Sequence, residues 1–173
     1  MDTEPEPTVA DGDYHQLDPR AIQVERIGGL FLTAIIGAVS LAGVGITLLV
    51  GDEIPTWLAG SLPFLWLAAT ILLAWHAHRW PLLDYRHTSY RVNGVGIEIR
   101  RGVYWRVVIQ IPRSRVQHTD VSQGPVERRY GLGTLRIYTA GTDLAKVDLS
   151  GLEHGLALRL RDHLLPSGET DAV

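Results

Sequence analysis

The sequence predicts an α+β membrane protein: a two-helix transmembrane hairpin, then a small antiparallel barrel-like sheet closed by a C-terminal helix. Three observations predict it. Two uncharged runs of 24 residues each, Ile27–Val50 and Ile54–Ala77, stand three residues apart. From about Tyr85 the apolar residues switch to a period of two, punctuated by Gly, Pro and an Asn-Gly pair. A stripe at spacing four, Leu152, Leu156, Leu160 and Leu164, then marks a last amphipathic helix.

Each run is long enough to be a span. Twenty-four residues rise about 36 Å as a helix, against about 30 Å of hydrocarbon. Neither run alternates polar and apolar faces, as a soluble core helix would. The leader "MDTEPEPTVADGD" is too acidic, and the first run too long, for a cleaved signal peptide. Only Gly51-Asp52-Glu53 joins the runs, so an antiparallel hairpin is expected. Arg20, Arg26, Arg79 and Arg86 flank its terminal side and the tip carries only acids, which predicts both termini in the cytoplasm. Trp57 and the pair Trp75/Trp80 fit the two interfacial belts. Ala34, Ala38 and Ala42 repeat every four residues and are expected to pack the two helices together, in preference to a dimer seam. Pro63 should kink the second helix or free a carbonyl. With no Asp, Glu, Lys or Arg inside either run, the hairpin reads as an anchor and not an ion path.

The strands follow in order. "SYRVNGVGIEIRRG" reads as two strands about Asn93-Gly94. In "GVYWRVVIQIP", Val103, Trp105, Val107, Ile109 and Ile111 share one face, with Tyr104, Arg106 and Gln110 opposite, and Pro112 ends the strand. "RVQHTDVSQG", "TLRIYT" and "AKVDL" supply the rest, the last after a turn at Ala140–Asp143. Ser150 and Glu153 match a capping box opening the final helix, which Pro166 stops.

Charge and composition exclude several functions. The net charge is −3, with −5 in residues 1–26, −2 in 27–85 and +4 in 86–173, too mild a bias for a dedicated nucleic-acid binder. Absence of cysteine removes disulfides, thiolate catalysis and Cys-based zinc sites. Gly131-Leu132-Gly133 is followed by Thr134-Leu135-Arg136, so neither the P-loop nor the dinucleotide fingerprint fits. Ser114, His118 and Asp120 project in a row about 7 Å apart along one strand, too far for a hydrolase triad. His76 and His78 diverge on a helix, and His154 and His163 are nine apart, so no metal, cofactor or catalytic site is expected. Two arginine sets remain. Arg113, Arg115, Arg128, Arg129 and Arg136, with Tyr130, form a candidate interaction surface. Val126–Tyr130 is expected as a short helical turn in which Arg128 and Arg129 pair with Glu127 and Asp120 or face outward. Arg79, Arg86, Arg91, Arg100, Arg101 and Arg106 form a candidate lipid-facing set.

Three stretches carry a family resemblance: "LDPRAI" (17–22), "IPRSRVQHTDVSQGPVERRYGLGTLRIYTAGT" (111–142) and "LSGLEHGLALRLRDHL" (149–164). Together they resemble the YdbS-type bacterial PH-domain membrane proteins, over roughly residues 15–165. The resemblance implies a PH-like sandwich capped by a C-terminal helix, with no enzymatic activity. With both ends expected to be disordered from their composition, the chain divides into a disordered leader (1–16), a juxtamembrane segment and anchor (17–83), a PH-like domain (84–166) and a disordered tail (167–173). The resemblance also implies assembly with another PH-domain membrane protein or with itself. The expectation is a non-catalytic module in the cell membrane, serving envelope stress or defence. The alternative is a sensor of anionic lipid headgroups. The turn that is basic in lipid-binding PH domains corresponds here to the uncharged Asn93–Gly96.

Overall fold

The structure, a computed structural model, describes residues 10–51, 55–140 and 146–165. The hairpin tip at Asp52-Glu53, most of the turn at Ala140–Asp143, the stop at Pro166 and the outer parts of both tails lie outside the described residues. The chain forms two compact units, Glu25–Leu82 and the segments on either side of it.

The first unit is helical. Helix α1 (Ala21–Val50) begins where Asp18 accepts the Arg20 N–H at 2.8 Å and the Arg20 guanidinium at 2.7 Å, with Pro19 fixing φ at the first turn. Helix α2 (Thr56–His87) follows Pro55 and runs through Pro63 and Pro81, which lack the N–H owed to the carbonyl four residues back. Both helices are long and apolar enough to cross a membrane. Almost none of either is covered by protein, so these are not core helices of a soluble fold.

Their packing corrects one expectation. Ala34, Ala38 and Ala42 are exposed and take no part in the helix–helix seam. Gly29, Thr33 and Gly37 form it instead. A Cβ on Gly29 would lie 3.1 Å from Ala77 Cβ, and one on Gly37 3.3 Å from Thr70 Cγ2. Trp66 Nε1 donates to the Gly37 carbonyl at 3.2 Å and to Ser40 Oγ at 3.0 Å. Two small-residue stripes share α1, and the one whose carbonyl can satisfy an indole N–H wins.

The second unit is a sandwich. One sheet pairs β1 (Tyr14–Gln16), β2 (Ser89–Asn93), β3 (Gly96–Arg101) and β4 (Val107–Pro112) in that order, all antiparallel. The other pairs β5 (Val116–Ser122), β6 (Leu132–Thr139) and β7 (Lys146–Glu153). Helix α3 (Pro125–Tyr130) bridges β5 to β6, and α4 (His154–Leu164) packs on the three-stranded sheet. The core joins Tyr90, Ile99, Ile109 and Ile111 of one sheet to Leu135, Ile137 and Leu149 of the other and to Leu160 and Leu164 of α4. This is a PH-like sandwich with a C-terminal helix, not a closed barrel.

Four local expectations are corrected. The leader is not disordered through residue 16: Tyr14–Gln16 adds an edge strand. Residues 17–24 fold with the sandwich and not with the anchor. Ser150–Glu153 is no capping box, because β7 continues to Glu153 with Leu152 buried opposite Gly133; α4 starts at His154 without a side-chain cap. Residues 103–106 are not strand either: β4 begins only at Val107. The six-residue α3 does form, ended by Gly131 at φ +68.

Candidate functional site

Alternation along β3 sends Ile97 and Ile99 into the core and Glu98 to the other face, where it is 6% exposed. Register then sets Tyr14, Arg91, Glu98 and Gln110 in one row across all four strands. Glu98 accepts hydrogen bonds from Tyr14 Oη at 2.8 Å, Arg91 Nη2 at 2.7 Å, Arg100 Nε at 2.7 Å and Gln110 Nε2 at 3.1 Å. Both guanidinium groups also face the Tyr14 ring, 4.8 Å away for Arg91 and 4.2 Å for Arg100. The Tyr14 hydroxyl, then Gln110 and Arg100, hold the Glu98 carboxyl down to about 2, against the opposing effect of burial. Burial and the same bond push the Tyr14 phenol up.

Beyond this row, where β3 ends, lies a cleft of about 450 Å³. Arg100 and Arg101 reach it from β3, Arg106 from the head of β4, Arg86 and His87 from the last turn of α2, and Gln16 from the end of β1. Among the described residues no Asp or Glu lines it. Arg100 alone is tied to a carboxylate; Arg86, Arg101 and Arg106 are exposed and make no ion pair with a described residue. Fork-shaped donors converging without a competing acid suit a phosphate or carboxylate.

The sandwich and its appended helices have counterparts. The chain matches the model of the bacterial PH domain family over residues 27–167, which takes in most of α1, all of α2 and the sandwich apart from β1. It belongs to that family. It is also 29% identical over 150 residues to the UPF0699 transmembrane protein YdbS of Bacillus subtilis (strain 168), spanning 87% of this chain and 89% of the relative. No solved structure matches the chain. The chain is therefore a transmembrane PH-domain protein, and neither the family description nor the relative's name states an activity.

Within this bacterial PH domain the lipid-facing set divides. Arg86, Arg100, Arg101 and Arg106 meet at the cleft, Arg91 is spent on Glu98, and Arg79 lies over the Trp75 ring at 5.9 Å. The uncharged Asn93–Gly96 turn sits at the opposite end of β3, about 17 Å away at strand rise. The absence of a basic turn there leaves the cleft end untouched. The sequence reading missed Glu98, Tyr14 and Gln110; only the strand register set by that turn could have aligned them.

The other arginine set is dispersed. Arg113 Nη2 donates to the Leu165 carbonyl at 3.1 Å, and Arg136 lies between Asp120 at 3.9 Å and Asp148 at 4.0 Å. The Tyr130 carbonyl accepts from Arg20 at 3.2 Å. Glu127 accepts from Gly124 N–H at 2.6 Å and Thr134 Oγ1 at 2.8 Å, so it does not pair with its arginine neighbours. Arg115, Arg128 and Arg129 are left exposed, without an ion pair to a described residue. Ser114 lies in a single turn of 3₁₀ helix before β5, off the strand that holds His118 and Asp120. His76 stacks on Trp80 at 5.2 Å. Among the described residues no three His, Asp or Glu gather as metal ligands.

Proposed function

We propose that this protein is a non-catalytic, membrane-anchored module whose arginine cleft takes the phosphate of an anionic lipid headgroup on the cytoplasmic face. The observation that carries this reading is the convergence of four arginines with no acid among the described lining residues, three of them without an ion pair to a described residue. Each exposed arginine near an anionic surface contributes about 1 kcal/mol. Pairing of β1 with β2, on either side of the helical hairpin, supports both flanks lying on one side of the membrane. Positive-inside flanks favour the cytoplasm.

The test is lipid retention by the full chain purified in mild detergent, read by mass spectrometry. Arg101→Gln/Arg106→Gln is expected to retain less anionic lipid, with neutral lipid unchanged. Equal anionic lipid on both proteins sinks the reading.

A second reading, assembly with another PH-domain membrane protein or with itself in envelope stress or defence, is favoured by Arg128 and Arg129. Both are exposed on α3 and make no ion pair with a described residue. A companion that co-purifies with wild type and not with Arg128→Ala/Arg129→Ala would support it; identical companions with both proteins count against it.

A further inference from the structure

The loop from Gly102 to Arg106, joining β3 to β4, exposes apolar surface in an unusual concentration. Trp105 is 87% exposed and Tyr104 80%, and the first residues of β4 add Val107 at 47% and Val108 at 56%. Contiguous apolar exposure of this kind marks an interaction surface. The tip is also tightly built. Gly102 sits at φ +116, and a Cβ there would overlap the Trp105 carbonyl oxygen, so the chain folds back on itself with no room for a side chain.

Charge selects the occupant. Arg101 and Arg106, neither in an ion pair with a described residue, bracket the aromatic pair and line the cleft beneath it. Aromatic rings ringed by cations suit the boundary between acyl chains and anionic headgroups, where Trp and Tyr concentrate and Lys or Arg reach phosphates. Continuity points the same way. Arg86 and His87, in the same lining, end α2, the second of the two apolar helices.

We propose that residues 102–108 form a membrane wedge, with Trp105 and Tyr104 at the headgroup–acyl boundary and Arg101 and Arg106 on the phosphates above them. The wedge rests on the reading of this face as lipid-directed and adds an apolar contact that headgroup binding does not require. Gly102 sets its shape, Trp105 is its deepest group, and the two arginines limit how far it sinks.

The test uses the full chain in nanodiscs, neutral or containing anionic lipid, and compares wild type with Trp105→Phe. The difference in fluorescence isolates Trp105 from the other four tryptophans while keeping an aromatic ring at the tip. The expected difference spectrum is blue-shifted, quenched by lipid brominated near the headgroup end of the acyl chain, and insensitive to aqueous acrylamide. A red-shifted difference quenched by acrylamide overturns the wedge, even where Arg101→Gln/Arg106→Gln still loses anionic lipid. Resistance to both quenchers overturns it in favour of a protein cover, a second copy included. Bromolipid quenching of equal strength in neutral and anionic discs keeps the wedge and removes the headgroup reading instead.

Discussion

Arg91 and Arg100 lie on the same sheet as Arg101, with Arg106 in the loop that follows, yet the two pairs live in different chemistry. The first pair is held by one carboxylate: Glu98 takes a hydrogen bond from each, and Tyr14 lies against both. The second pair, one residue past Glu98's reach on β3 and across the loop, has no acid among the described residues to hold it. Arginine is the same residue in both places. Whether it is tied into the scaffold or left open depends on whether the fold delivers a carboxylate to it, and the cross-strand row delivers one to the middle of the sheet.

Removing the common support should affect both pairs. Leu160→Ala, in the core where α4 meets the sandwich, is expected to cost about 2–5 kcal/mol of stability, read by thermal unfolding in detergent, and to lose lipid selectivity with the fold. Arg101→Gln/Arg106→Gln separates the pairs. Anionic-lipid affinity should fall about fivefold per arginine, about thirtyfold for both, with an unchanged melting temperature. Arg91→Gln should show the reverse, a lower melting temperature with little change in lipid selectivity.

Acid sharpens the same comparison. Because the Glu98 carboxyl is held at about 2 from an ordinary 4.5, its stabilisation is complete above 4.5 and lost as pH falls from there through about 2. Glu98→Gln should flatten that limb of the stability–pH curve while lowering the neutral plateau. A curve of unchanged shape would mean that the row holds no charge-dependent stability. The smallest effect is expected at α3: Arg128→Ala/Arg129→Ala should shift stability by less than about 0.5 kcal/mol, since both side chains are exposed and neither has an ion pair with a described residue to lose.

Local pattern carried the architecture and failed where tertiary contact outvoted it. Two uncharged runs, the Asn93-Gly94 turn and the inward alternation of Ile109 and Ile111 all appear as read. Extending that alternation back to Val103 and Trp105 failed, because Gly102 at positive φ breaks the strand and turns the rings outward. Ser150 and Glu153 obeyed a helix-start pattern, but Leu152 had a buried place opposite Gly133 to fill. Within α1, spacing four described the alanines and the Gly29–Gly37 stripe equally well, and only the partner helix distinguishes them. As for the cleft, its lining comes from Gln16, from Arg86, His87 and Ser89, and from Arg100–Gly102 and Arg106–Val108, so composition could name its arginines but not show that they meet. Their acid-free surroundings were invisible until register assigned Glu98 elsewhere.

The short edge strand β1 also fixes an order of events in biosynthesis. Tyr14 leaves the ribosome long before Arg91, its partner in the ladder, and both membrane helices are made in between. That strand therefore waits. It can close on β2 only after the intervening hairpin has returned the chain to the side where it began, and a molecule with one helix left uninserted would hold its two halves on opposite sides of the bilayer. Completion of the Tyr14–Glu98 bond is thus a late checkpoint, reached only by chains whose insertion is correct.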